Sequence, residues 1–186
     1  RELDYHRNNG NLYLLGPRYI SLRKEFWDIA EKKKPVNVRM ILITFGGMDF
    51  SDLIHEIVNF LQDKLNCTFN CIDFNKKRMD PATFFQSILQ SDVCICGGGQ
   101  TVYNLARCGV PTIGVCLSEN QLRNLRSWDK TKFLEFIGEY KDSDLLGKLE
   151  KFLNGPEFGK FLSRGKIGHK YIDGEGARIV VQTVLN

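Results

Sequence analysis

From Val38 onward the chain alternates between two apolar patterns. Short continuous runs end in glycine or polar residues, and between them apolar residues recur every three or four positions. A continuous run of about four to eight residues suits a strand buried on both faces; the helical recurrence marks a helix with one buried stripe. Arg39–Phe45 is the first run and stops at Gly46-Gly47. Leu53, Ile54, Ile57, Val58, Leu61 and Leu65 then mark a helix. Cys67–Ile72 predicts a second strand, and Pro81–Leu89 a short helix with Phe84, Phe85, Ile88 and Leu89 inward. Asp92–Cys96 predicts a third strand, running into Gly97-Gly98-Gly99. Thr101–Cys108 reads as helix, with Gly109 as the residue that ends it. Pro111–Cys116 predicts a fourth strand, Gln121–Trp128 a helix and Phe133–Ile137 a fifth strand. Leu145, Leu146, Leu149, Phe152 and Leu153 mark another helix; Ala177, Val180, Val181, Val184 and Leu185 mark the last. This alternation predicts an α/β fold, a Rossmann-like doubly wound parallel sheet with right-handed crossovers. Ligands of such a sheet bind at the carboxyl ends of the strands, near a switch point.

Before Val38 the pattern differs. Residues 1–16 are polar with short apolar spots and read as a linker, punctuated by Gly16-Pro17. Tyr19, Leu22, Phe26 and Ile29/Ala30 recur at helical spacing and predict a helix that ends in Lys32-Lys33-Lys34-Pro35. The expected division is residues 1–36 as linker and contact helix, and residues 37–186 as one Rossmann-like domain. No apolar run approaches the roughly 20 residues of a membrane span. The start, Arg1-Glu2-Leu3-Asp4, has no Met and no apolar h-region. It reads as the interior of a longer chain without a signal peptide.

Charge refines this division. The net charge is +4 over 186 residues. Residues 1–39 hold nine Lys/Arg against five Asp/Glu, so the whole excess lies there. A neutral body argues against nucleic acid as a partner, because phosphates call for a broad basic face. The excess instead reads as a segment contacting another domain and adding positive potential beside an anion. The six cysteines, Cys67, Cys71, Cys94, Cys96, Cys108 and Cys116, form no C-x-x-C pair and mostly lie in apolar runs. They read as reduced, buried thiols of a cytoplasmic protein, with no metal-ligand spacing.

Two glycine-rich loops follow strands at the expected ligand edge. One is Thr44-Phe45-Gly46-Gly47-Met48-Asp49; the other, Gly97-Gly98-Gly99-Gln100-Thr101, opens a helix. Glycines allow close backbone approach, and free N–H groups at a helix N-terminus favour an anion. Neither a G-x-G-x-x-G nor a Walker pattern is present. Two such loops on one edge favour a phosphate site over two tight turns. A third loop, Leu117-Ser118-Glu119-Asn120-Gln121, has two readings. Its polar groups suit a ribose or phosphate, and Ser118 with Gln121 equally suits a capping box. His6, His55 and His169 lack an evident catalytic partner and read as surface residues. Asp173-Gly174-Glu175-Gly176 reads as a turn with acidic residues at the start of the last helix. No acid–base pair, catalytic residue, cofactor motif or metal site stands out.

At these loops the chain resembles a known family. From about Leu15 onward it looks like the C-terminal half of the UDP-sugar hydrolase of pseudaminic acid biosynthesis and the related spore coat polysaccharide proteins. The carriers are Leu15-Gly16-Pro17-Arg18-Tyr19 with Leu22–Phe26, Ile43–Asp49, Ser91–Thr101, Gly109-Val110-Pro111, Glu119-Asn120-Gln121 and Ile172–Ala177. That family is similar in fold to the UDP-GlcNAc transferase that makes lipid II. The resemblance implies the C-terminal half of a GT-B fold, facing its own N-terminal domain across a cleft. By resemblance, Gly46, Gly47 and Asp49 line the cleft near a diphosphate. Gly98, Gly99, Gln100 and Thr101 present the helix to the phosphates, and Glu119, Asn120 and Gln121 border the sugar or diphosphate.

Two positions depart from the family pattern. Asn104 stands where the family usually has a ribose-binding Glu, which removes a charge-assisted bond of about 1–3 kcal/mol. Ile179 stands where an Arg is usual. The family's catalytic His lies in a G-x-G-H motif of the N-terminal domain, and Gly168-His169 does not reproduce it. The expected function is therefore a UDP-sugar-binding domain of a hydrolase or glycosyltransferase of surface polysaccharide or nonulosonic acid biosynthesis, inactive alone. The alternative is a non-catalytic binding module with a degenerate nucleotide site.

Overall fold

The computed structural model describes residues 12–47, 49–73 and 79–185. Residues 1–11 of the expected linker, His6 and Met48 lie outside them. Five strands form one sheet: β1 (Met40–Thr44), β2 (Thr68–Ile72), β3 (Val93–Cys96), β4 (Thr112–Cys116) and β5 (Leu134–Glu139). All pairings are parallel, in the order β2-β1-β3-β4-β5. The helices are α1 (Ser51–Leu61), α2 (Pro81–Gln90), α3 (Thr101–Cys108), α4 (Glu119–Lys130), α5 (Leu145–Leu153), α6 (Phe158–Phe161), α7 (Gly165–Tyr171) and α8 (Gly176–Leu185). The chain runs outward from β1 to β2, then returns to β1's other side at β3. The switch point therefore lies between β1 and β3.

Strand alternation divides the core into two layers. Ile41, Ile43, Val93, Ile95, Ile113 and Val115 face the layer of Ile54, Ile57, Leu61, Leu149 and Phe161. Leu42, Cys94, Cys96 and Cys116 face the layer of Ile88, Leu105, Leu125 and Trp128. Helices thus cover both faces, and the strands read as unbroken apolar runs for that reason. Each fully buried Leu or Ile contributes about 1.5–3 kcal/mol of transfer free energy. Gly109 ends α3 in the left-handed conformation at φ 68°, as its position predicts. Asp80 caps α2, its Oδ1 accepting from the Ala82 and Thr83 amides at 3.0 Å each.

The helix expected over residues 19–30 is absent. Two short 3-10 turns, Pro17–Tyr19 and Lys24–Phe26, flank extended backbone. Leu22 and Phe26 are still buried, which explains the helical spacing. The carbonyls that would carry a helix there are taken by side chains. Trp27 Nε1 donates to Leu22 O at 2.8 Å, Arg107 Nε donates to Phe26 O at 2.9 Å, and Arg107 Nη2 donates to Trp27 O. Two helices that the apolar spacing does not announce, α6 and α7, follow α5. In α7, Gly165 and Gly168 are buried, and a Cβ on either would strike the end of α3 or Phe133. Small residues there allow close helix approach, at the expense of helix propensity.

Candidate functional site

A cleft of about 410 Å³ opens at the switch point, between the loop after β1 and the loop from β3 into α3. Its walls include Thr44, Gly46, Gly47, Gly99, Thr101 and Gln121. The two glycine loops, 50 residues apart in sequence, meet because β1 and β3 are neighbours in the same register. Gly46 holds φ 76°, a conformation that disfavours any side chain. The start of α3 stands at the cleft with the positive end of the helix dipole; the Val102 and Tyr103 amides turn back to Gly99 O at 3.3 Å and Gln100 O at 3.1 Å, so it is the amides ahead of them that face a ligand. Thr44, the last residue of β1, is fully buried, and its Oγ1 has no hydrogen-bond partner among the described residues. A buried hydroxyl without a partner costs about 1–3 kcal/mol, which a ligand acceptor would recover.

Gly98 plays a different part from its neighbours. Its amide donates to Gln121 Oε1 at 2.9 Å, and its carbonyl accepts from Asn124 Nδ2 at 2.8 Å. Tyr103 Oη donates to Asn124 Oδ1 at 2.9 Å, which orients that amide. A Cβ at Gly98 would meet Leu125 Cγ at 2.7 Å and Gln121 Cβ at 2.9 Å. Gly98 is thus fastened to α4, and Gly99 and Thr101 are left to line the cleft. Gln121 Oε1 also accepts from the Leu117 amide at 3.4 Å, so this side chain ties the second loop to the third. The capping box at Ser118 is not formed: Ser118 Oγ donates to Asn120 Oδ1 at 2.6 Å, and Gln121 turns into the sheet edge.

A second pocket of about 520 Å³ adjoins the cleft and shares Phe84 and Gln100 with it. Asn104 and Arg23 lie in its wall beside Leu22, Phe26 and Met79. The extended segment around residues 20–26 forms one side, held in place by Arg107. Asp49, Glu119 and Asn120 are exposed and line neither space. Asp49 instead accepts from the Ser51 amide at 3.2 Å and the Ser51 hydroxyl at 2.8 Å, at the start of α1. The sequence names Thr44 as the start of a glycine loop and Phe84 as an inward helix residue, neither as a site residue, and does not single out Asn124. Thr44 carried a signal, being the single hydroxyl in the apolar run of β1.

The basic N-terminal segment is split in two. Arg23 faces the second pocket, whereas Lys32 Nζ donates to Leu89 O at 2.7 Å and to Ser91 O. Lys32 therefore satisfies carbonyls at the end of α2, on the sheet edge where β3 begins, opposite the cleft. Burial pushes the Lys32 ammonium below its ordinary range, against the pull of Asp92. His169 is half-buried rather than a surface residue. Its Nδ1 lies 2.7 Å from Arg107 O and its Nε2 3.5 Å from Arg107 Nη1, so an Nδ1–H donor and an Nε2 acceptor fit both. Gly174 and Gly176 sit where the backbone of Trp27 and Ile20 passes, which gives the Asp173–Gly176 turn a packing role as well.

No family model matches the chain. An uncharacterized protein of Methanocaldococcus jannaschii is 34% identical over 64 residues, 32% of this chain and 13% of that protein. Solved structures agree in fold. The glycotransferase of kitacinnamycin superposes with a TM-score of 0.54 at 13% identity, over 82% of this chain and 45% of that one. Spinosyn forosaminyltransferase gives 0.56 at 11% identity, over 91% and 49%. Spinosyn rhamnosyltransferase, solved with thymidine diphosphate, gives 0.56 at 13% identity, over 84% and 47%. The chain spans about half the length of these glycosyltransferases, and its sheet has the architecture of one Rossmann-like half of a GT-B fold. No helix among the described residues is long and apolar enough to cross a membrane.

Proposed function

We propose that this chain is the nucleotide-sugar-binding half of a GT-B enzyme, acting on a UDP-sugar. The diphosphate lies in the switch-point cleft against the start of α3, and the nucleoside extends into the pocket of Asn104 and Arg23. The observation that carries this reading is the unpartnered, buried hydroxyl of Thr44 between the two glycine loops. It supplies a donor beside the positive end of the α3 dipole, a combination suited to a phosphate. The glycosyltransferase fold supports the same reading, and one such neighbour carries a nucleoside diphosphate.

The reaction is sugar transfer or hydrolysis with loss of UDP, in surface polysaccharide or nonulosonic acid biosynthesis. The group that activates the acceptor belongs to an N-terminal domain across the cleft. This chain binds and orients, and its own residues move no proton. Asn104, a neutral residue in the pocket wall, favours one competing reading, a binding module that no longer supports turnover.

Calorimetric titration with UDP tests the proposal. Wild-type chain should bind, and Thr44→Val should weaken binding by about tenfold or more, the value of one bond to a charged acceptor. The same substitution should leave thermal stability unchanged or raised, because it removes an unpaired buried hydroxyl. Absence of binding at millimolar UDP, with Asn104→Glu failing to restore it, would favour the interaction module. Unchanged affinity in Thr44→Val would remove the diphosphate from the cleft.

A further inference from the structure

Gly98 is held from both its polar ends by α4. Its amide donates to Gln121 Oε1 at 2.9 Å, and its carbonyl accepts from Asn124 Nδ2 at 2.8 Å. Gln121 and Asn124 are three residues apart on α4 and share one face. A trans peptide points its C=O and its N–H in opposite directions, and no cis peptide occurs among the described residues. With the Gly98 carbonyl turned to α4, the Gly99 N–H of the same peptide turns away from α4. Gly99 lines the cleft together with Thr44, whose buried hydroxyl has no partner among the described residues. The Gly99 amide has no hydrogen-bond partner among the described residues either. A Cβ at Gly99 would meet no atom within 4 Å, so the space before that amide is open. The opposite peptide orientation would present a carbonyl oxygen there, an acceptor that repels an anion.

What holds the peptide this way round is Asn124. A carbonyl only accepts, so the Asn124 group against Gly98 O is the amino group, and its Oδ1 is left to face Tyr103. Tyr103 Oη donates to that Oδ1 at 2.9 Å. Without this hydroxyl the side-chain amide is free to turn over and set oxygen against oxygen at Gly98. Burial pushes the Tyr103 hydroxyl above its ordinary range, so the proton stays in place. The Tyr103 ring packs edge-on against Trp128 at 5.6 Å between centroids, which ties the pair to the core. Neither Tyr103 nor Asn124 lines the cleft, so both act on it through the Gly98–Gly99 peptide.

Resting on the nucleotide reading above, we infer that Asn124, oriented by Tyr103, is a positioning residue that aims the Gly99 amide at the bound diphosphate.

Nuclear magnetic resonance of the backbone amides during a titration with UDP tests this. In wild type the Gly99 amide proton should move downfield as UDP saturates. The Gly98 amide, already bonded to Gln121, should move little. Asn124→Leu keeps the size of the side chain and removes its donor. UDP affinity should then fall about tenfold or more, the worth of one bond to a charged acceptor, and the Gly99 response should be lost. Tyr103→Phe leaves the Asn124 donor in place, and its loss should be smaller, about threefold. Adding Tyr103→Phe to Asn124→Leu should cost no further affinity, because Tyr103 acts through Asn124. A role confined to stability would lower the melting temperature of Asn124→Leu and leave its UDP affinity and Gly99 response unchanged; that result overturns the inference. Binding of UDP to wild type with an unmoved Gly99 amide also overturns it and leaves the nucleotide reading standing. Failure of UDP to bind wild type overturns the nucleotide reading itself. The wild-type titration requires no variant and so decides even where Asn124→Leu misfolds.

Discussion

Gln121 and Gly98 show how one side chain can serve a binding loop without facing the ligand through its polar end. Gln121 Oε1 accepts from two amides, Gly98 N and Leu117 N, that lie on different loops. Replacing it with Met keeps the length of the side chain and removes the acceptor. Gln121→Met should then cost about 1–3 kcal/mol, the penalty of leaving a buried amide unpaired. Thermal unfolding measures that loss, and a UDP titration should show weaker binding because Gly99 and Thr101 are no longer held at the cleft. Gln121→Glu retains the acceptor and should keep most of the stability, while its negative charge in the cleft wall should weaken UDP binding. Equal stability of Gln121→Met and wild type would mean that Asn124 alone fixes the loop.

The extended segment of residues 20–28 is an element that owes its shape to a residue 80 positions away. Arg107 is 6% exposed, and its guanidinium occupies the carbonyls of Phe26 and Trp27. Those carbonyls are thereby satisfied without a helix, and Leu22 and Arg23 line the pocket. Arg107→Met leaves both carbonyls short of a donor and should destabilise by about 1–3 kcal/mol. Hydrogen exchange should locate the loss: amides of residues 19–28 should exchange faster, while those of β1 and β3 keep most of their protection. A uniform loss of protection across the sheet would show that the segment has no stability of its own to lose.

The two-layer core gives the whole molecule a thiol signature. Cys94, Cys96, Cys108 and Cys116 are buried, Cys67 is half-buried and Cys71 is exposed on β2, all as free thiols. A thiol reagent should therefore label Cys71 ahead of Cys67, both slowed by burial that raises their thiols, and reach the other four only on unfolding. Rapid labelling of more than two thiols in the native chain would contradict the packing. Burial also pushes the Cys108 thiol up to about 12, against Lys32 and Arg107, and raises Cys94 as well. A folded pKa above the unfolded 9.0 means that the unfolded state gives up its proton first. Stability should thus be full below pH 9.0 and fall as pH climbs toward about 12. Denaturant midpoints across that range measure the slope, and Cys108→Ala should flatten it.

The sheet was legible in the order of apolar patterns, because strands buried on both faces and helices buried on one leave different periodicities. The α3 boundaries, Gly109 as its terminator and the carboxyl-edge loops follow from local chemistry alone. Residues 19–30 were not legible, since Leu22 and Phe26 keep a helical spacing while Arg107 takes the carbonyls that a helix needs. Helix α7 was obscured by Gly165 and Gly168, which weaken local propensity and gain their purpose only against α3. The division of labour among the loop residues was equally hidden. Gly98 and Gly99 are identical in sequence, yet one is pinned to α4 and the other borders the cleft. Gln121 and Asn120 are adjacent, yet only Gln121 reaches the second loop. Local sequence carries propensity and periodicity, which act over a few residues. Which hydroxyl is stranded, which amide is claimed and which carbonyl is diverted depend on partners brought together across the sheet.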